Sequence, residues 1–184
     1  GAYNGDSRSI DTFVRDHPEA MVVFSVGDRG GDGASQISPQ SSAKNALAVG
    51  ASDGEQRAGF SSQGPSLDGR VRPDVLAPGV DICASRAQEA SIVTGGPCGD
   101  GLHADGSTPL SMSLSGTSQA APVAAGAAGL VREHLRESLG ITSPTAALLK
   151  AALINGAEDL GAPNIPNPQE GWGRVDLERT IAPH

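Results

Sequence analysis

Ser115-Gly116-Thr117-Ser118-Gln119-Ala120-Ala121-Pro122 sets a serine where a glycine-containing loop turns into a long run of small residues. Ala120, Ala121, Ala124, Ala125, Ala127 and Ala128 give way to Leu130, Val131 and Leu135, and this spacing predicts a helix from Ser118 to Glu137. Small side chains on its first turns let another backbone pack closely. A serine in the first turn lies beside unpaired backbone N–H groups and the positive end of the helix dipole, so negative charge developing on a carbonyl oxygen is stabilised there. Gly116 permits close approach of a substrate, and Pro122 is tolerated because its missing N–H falls where the helix ladder has barely begun. Taken alone, a serine at this position is most often only a cap, so the surroundings decide its meaning.

Upstream, Ile10, Phe13 and Val14 are at helical spacing within Ser9 to Asp16, and His17-Pro18 ends the pattern. Met21 to Val26 is a short β-rich run closed by Gly27-Asp28-Arg29-Gly30-Gly31, and Leu47 to Ala51 repeats the scheme. Both read as buried parallel strands. A very short third strand is pinned between prolines in Arg72-Pro73-Asp74-Val75-Leu76-Ala77-Pro78-Gly79. Residues Glu89 to Ser113 read as a long surface loop or a loosely formed hairpin. Downstream, a helix is expected from Ser143-Pro144 through Ala146 to Ile154, stopped by Asn155-Gly156, and a last short helix after Trp172-Gly173-Arg174-Val175-Asp176. Strands alternating with helices imply an α/β sandwich with a mostly parallel sheet, with residues 1–184 forming part of one domain. Sites in such folds gather beyond the carboxyl ends of the strands, here the loops after Val26 and before Ser118.

Composition excludes several classes. A net charge of −8 leaves no basic face for a phosphate backbone, so no nucleic-acid partner is expected. No apolar run reaches the roughly 20 residues of a membrane-spanning helix, and no targeting signal is present at the N-terminus. Cys83 and Cys98 lack the paired spacing and histidine neighbours of a zinc site. They are a disulfide pair if the protein is exported, or two unrelated thiols.

Gly116, Thr117, Ser118, Ala120 and Pro122 match the Gly-Thr-Ser-x-Ala-x-Pro nucleophile motif, so the chain resembles the subtilisin-like serine proteases. Gln119 stands where the family usually has methionine, a change on the leaving-group side. Three further segments agree in order. Met21 to Gly30 resembles the strand and loop that end in Gly-Asn; Phe60-Ser61-Ser62-Gln63-Gly64-Pro65 and Arg72 to Gly79 resemble the family's Phe-Ser-Ser-x-Gly and Pro-Asp-(x)-x-Ala-Pro-Gly elements. Gly171-Trp172-Gly173-Arg174-Val175 points to the bacterial alkaline branch, whose catalytic domain precedes a β-barrel. The resemblance implies the C-terminal part of a three-layer subtilisin-like sandwich, a secreted endopeptidase cleaving through an acyl-enzyme on Ser118, and a peptide or protein substrate. It further implies that Ser25, Val26 and Gly27 form one wall of the specificity pocket and pair with the substrate as an added strand. No cofactor is required. Structural calcium is compatible with Asp28, Asp32, Asp100 and Asp105 in Gly-rich loops, but no site is assigned.

Two departures stand out. Asp28 occupies the oxyanion position, where the family has an asparagine; an ionised carboxylate donates nothing to an oxyanion, and losing that donor costs about 10²–10³ in turnover. A protonated Asp28 would still donate. The family's catalytic Asp and His motifs lie upstream of what corresponds to Gly1, and none of His17, His103, His134 or His184 has a suitable context. Without a base a serine hydroxyl is a poor nucleophile. The missing pair is therefore expected from an upstream segment or a partner chain, with a catalytically inactive binding module as the alternative. A third reading, an α/β-hydrolase esterase, takes Gly116 to Ala120 as a nucleophile elbow with Asp159, Asp176 and His184 downstream. It suffers because Ser111 to Ser115 is too polar for the hydrophobic strand that an elbow follows.

Overall fold

The computed structural model describes residues 1–87, 98 and 110–182. In chain order they form α1 (Gly5–Asp16), β1 (Val23–Ser25), β2 (Leu47–Asp53), β3 (Gln56–Arg57), β4 (Val75–Pro78), β5 (Ile82–Ser85), β6 (Ser111–Leu114), α2 (Thr117–Glu137), α3 (Ala146–Asn155) and α4 (Leu177–Ile181). The expected loop positions Asp100, His103 and Asp105, and His184 at the end, lie outside the described residues.

The sheet is built on β2. β1 runs parallel to it, Val23 to Ser25 opposite Leu47 to Val49, and β4 runs parallel with Val75 to Pro78 opposite Val49 to Ser52. Parallel strands are covered on both faces, which explains why β2 reads as a continuous apolar run. Leu47, Val49 and Ala51 point into the main core with Ala120, Ala124, Ala127, Val131 and Leu135 of α2, while Ala48 packs against Val26 and Ile37 on the other side. The alanines let α2 lie close to the sheet. At β4, Leu76 N–H donates to Gly173 O and Val175 N–H to Leu76 O, so the family-like segment around Arg174 covers that edge. No strand among the described residues pairs with the outer edge of β1.

Several elements differ from the sequence reading. α1 begins at Gly5 rather than Ser9, because Asn4 Oδ1 accepts from the backbone N–H of Asp6 and Ser7 while Ser7 Oγ accepts from Asn4 N–H. α3 is capped by Thr145, whose Oγ1 accepts from Leu148 N–H at 3.2 Å, and not by Ser143. The polar run Ser111–Leu114 is a strand after all. It pairs antiparallel with β5 in a separate two-stranded sheet, where a half-exposed strand tolerates alternate serines. β3 likewise adds an antiparallel turn at the end of β2.

Under the sheet sits a buried charge cluster that the sequence reading did not contain. Asp74 Oδ1 accepts from Arg72 Nη1 at 2.7 Å, and Oδ2 accepts from Lys150 Nζ and Ala48 N–H, each at 2.8 Å. Arg72 spends its other donors on Ser41 O, Ala43 O and Val71 O, and Lys150 also donates to Ala46 O. Burial lowers the Lys150 pKa, Asp74 opposing it. The cluster ties β4, the approach to β2 and α3 together. Among the described residues no helix is long and apolar enough to cross a membrane.

Candidate active site

Ser118 is the second residue of α2 and its side chain is exposed, at the end of the sheet where β1, β2 and β4 all finish. Gly79, just past β4, carries the geometry: its N–H donates to Ser52 O and its carbonyl accepts from Gly116 N–H at 2.8 Å. A Cβ on Gly79 would lie 2.6 Å from Ala51 Cβ and 2.9 Å from Gly116 O, so only glycine lets the start of α2 close onto the strands. The Ala-Pro-Gly element thus positions the serine.

The loop after β1 meets the same point. Thr117, wholly buried, accepts at Oγ1 from Gly27 N–H (3.2 Å) and donates from Oγ1 to Asp28 Oδ1 (2.8 Å). Asp28 Oδ1 also accepts from Thr117 N–H at 2.8 Å. Gly116, the residue preceding α2, offers no side chain to cap it, so Asp28 caps the helix from across the site. The Phe-Ser-Ser element holds that loop in turn: Ser62 N–H donates to Gly27 O, Arg29 N–H to Ser62 Oγ, and Gly30 N–H to Phe60 O. Gly27 has φ 108°, which a side chain rarely adopts. Ser118 N–H has no acceptor among the described residues, so it is free to bind an anionic oxygen at the helix mouth.

The structure therefore brings Gly27, Asp28, Gly116, Thr117 and Ser118 together. The backbone groups of Val26 and Gly27 are already partnered. Val26 N–H donates to Val49 O, Gly27 N–H is spent on Thr117, and the carbonyls of Val26 and Gly27 accept from Ser38 and Ser62 N–H. An added strand finds no free donor at Val26 or Gly27, and the Val26 side chain is buried in the second core.

Two of the four histidines are described, and neither adjoins Ser118. His17 ends α1 with its ring 4.7 Å from that of Phe13, and His134 lies about 16 residues along α2, roughly 24 Å from Ser118 by helical rise. Asp32 pairs with Arg29, and among the described residues no three His, Cys, Asp or Glu side chains gather as a metal site. Cys83 and Cys98 are unjoined, but their thiols are hydrogen-bonded, which is the main cause pushing Cys83 up to about 11. A hollow of about 570 Å³ between α1 and α3, lined by Val14, Pro18, Lys150 and Ile154, lies near Asn45 before β2 and does not include Ser118. As for an elbow, the strand before Ser118 belongs to the antiparallel β5–β6 pair and not to the parallel sheet, so the esterase geometry is absent.

The sequence reading found Ser118 and Asp28 but missed the bond joining Thr117 to Asp28. The adjacent Thr117 was its only available signal.

A model of the Subtilase family matches residues 1–173. The chain is 34% identical over 190 residues to the serine protease AprX of Bacillus subtilis strain 168, covering 96% of this chain and 39% of that protein. It is 35% identical over 133 residues to the serine protease/ABC transporter B family protein tagA of Dictyostelium discoideum, covering 66% of this chain and 7% of that one. It thus spans well under two thirds of either relative. Among solved structures, a lanthipeptide protease superposes with TM-score 0.69 at 21% identity, over 96% of this chain and 54% of that one. The prenylagaramide maturation protease PagA gives 0.68 at 21%, over 95% and 54%.

Proposed function

The chain belongs to the subtilase family, and from that premise we propose that it is the nucleophile-bearing part of a serine endopeptidase. Ser118 Oγ attacks the scissile carbonyl, and the Asp and His that activate it come from an upstream segment or a partner chain. The observation that carries this reading is an exposed serine hydroxyl whose own N–H is unspent at the mouth of a 21-residue helix. That helix mouth provides electrostatic stabilisation for the oxyanion formed in acyl transfer. The open outer edge of β1 supports the idea of a supplied segment: Val23 to Ser25 offer one side of a ladder on which a further strand would bring the base alongside Ser118.

Ser25 and Gly27 border the approach to the serine, while Val26, Gly116 and Thr117 are buried behind them and fix its shape. The substrate is a peptide or protein chain, and substrate profiling reads its preferred side chains.

One observation favours a second reading. Asp28 presents a carboxylate beside the oxyanion position, which suits a subtilase-fold binding module without turnover. A fluorophosphonate probe applied to the full-length protein separates the two. Covalent labelling lost in Ser118→Ala supports the peptidase; a complete protein that never labels supports the binding module.

A further inference from the structure

We propose that Gln119 supplies the side-chain donor to the oxyanion formed at Ser118, replacing the amide that is absent at position 28. The inference rests on the peptidase reading above.

The geometry centres on the side chain that Gly116 lacks. The point where any other residue would carry its Cβ lies 2.7 Å from Gln119 Oε1, 3.3 Å from Asp28 Oδ2 and 3.7 Å from Ser118 N. Three polar groups from two separate parts of the chain thus converge on the side-chain face of Gly116, a small volume next to the nucleophile. Gln119 reaches it by folding back over the first turn of α2 instead of following the helix surface outward. Its amide makes no hydrogen bond among the described residues, so its NH2 group is unspent.

The chemistry of the three groups assigns their parts. Ser118 N–H is a donor. Asp28, whose Oδ1 is occupied by Thr117, turns its other carboxyl oxygen toward the volume as an acceptor. Only Gln119 combines donor and acceptor in one tip, and a half turn about its last bond exchanges the two. Beside a carboxylate oxygen and a developing oxyanion, the NH2 end is the one that electrostatics turns inward. The substrate oxygen would then sit between Ser118 N–H and Gln119 Nε2–H. Asp28 remains on the far side as the acceptor for the second Nε2 hydrogen. The carboxylate that looked like a lost donor becomes the group that aims a new one.

In the acylation step, Ser118 Oγ forms a bond to the acyl carbon, the carbonyl π pair moves onto oxygen, and the hydroxyl proton passes to the histidine base supplied from outside this chain. On collapse the C–N bond breaks and the amine leaves with that proton. Gln119 exchanges no proton in either step; its hydrogen bond strengthens as charge builds on the oxygen.

The test uses the full-length protein and a peptide substrate, with Gln119→Met as the near-isosteric loss of the amide and Gln119→Glu as a second loss of donor. Gln119→Met should lower kcat by about 10²–10³ with little change in KM. Asp28→Asn added to Gln119→Met should restore most of the lost kcat in the Asp28→Asn, Gln119→Met double variant. That rescue also demonstrates that the variant site is folded. If fluorophosphonate labels Ser118 while Gln119→Met keeps kcat within about threefold of the parent, or if Asp28→Asn fails to rescue it, the assignment is wrong and the peptidase reading stands. If Ser118 in the parent never labels, both fall.

Discussion

Replacing Asp74 with alanine removes the acceptor shared by two buried cations. The side chains of Arg72 and Asp74 are each 6% exposed and that of Lys150 is 19% exposed, so water reaches Lys150 only in part and the other two not without local opening. Breaking a buried pair by deleting one partner costs about 3–5 kcal/mol, because the partner's charge is left uncompensated. At roughly 2–4 °C per kcal/mol for a domain of this size, the melting temperature should fall by about 6–20 °C. Ala48 N–H loses its acceptor as well, which places the expected value in the upper half of that range. Lys150→Met alone should cost much less, since burial already disfavours its ammonium and Arg72 still pairs with Asp74. In Asp74→Ala, raising the pH should return part of the loss. The folded-state Lys150 pKa lies below its unfolded value, so between the two the unfolded chain binds more protons and stability climbs with pH. Denaturant unfolding of the parent and the two single variants at pH 7 and pH 10 reads all of this. A loss under about 1 kcal/mol for Asp74→Ala, at unchanged m-value, would refute the view that this cluster is a paired charge buried at a cost.

Thr117→Val keeps the volume but strands Gly27 N–H and one Asp28 contact, so it should cost about 1–3 kcal/mol and slow fluorophosphonate labelling of Ser118 together, as thermal melts and labelling rates will report. Cys83, pushed up to about 11 chiefly by its hydrogen bond with Cys98, should alkylate slowly at pH 8; Cys98→Ala should speed it, which mass spectrometry after timed iodoacetamide treatment can follow. Asp68 is lowered to about 2 by its hydrogen bonds from Arg70 and Ser66. Its folded value lies below the unfolded one, so the parent's advantage over Asp68→Asn should be complete above about pH 4 and vanish as the pH falls toward 2. With Asp68 44% and Arg70 27% exposed, the pair should give only a small advantage in acid-unfolding curves.

The parts of the fold that were legible in the sequence are those governed by local pattern. α2 announces itself by its alanine run, and β2 by an apolar stretch bounded by turn residues. The start of α1 was missed because the capping box around Asn4 lies before the apolar repeat begins. The strand at Ser111 to Leu114 was missed because its partner β5 lies across the long Gly/Pro-rich stretch. Within the site, Ser118 was visible through its motif, whereas the role of Asp28 was only half visible. Position 28 could be recognised as unusual, but the acceptor role it plays toward Thr117 spans 89 residues of sequence, and no local signal encodes that. The same holds for Lys150, which reads as an ordinary helix lysine until α3 packs against Asp74.

The span between Asp28 and Thr117 has a consequence for timing during biosynthesis. At about 5–20 residues per second, a ribosome needs roughly 5–20 s to make the stretch that separates these two residues. Throughout that interval Gly27 has no Thr117 hydroxyl to engage, and the helix that will present the serine does not yet exist. A newly made chain therefore has no assembled site around Ser118 until α2 has emerged and closed onto the loop after β1.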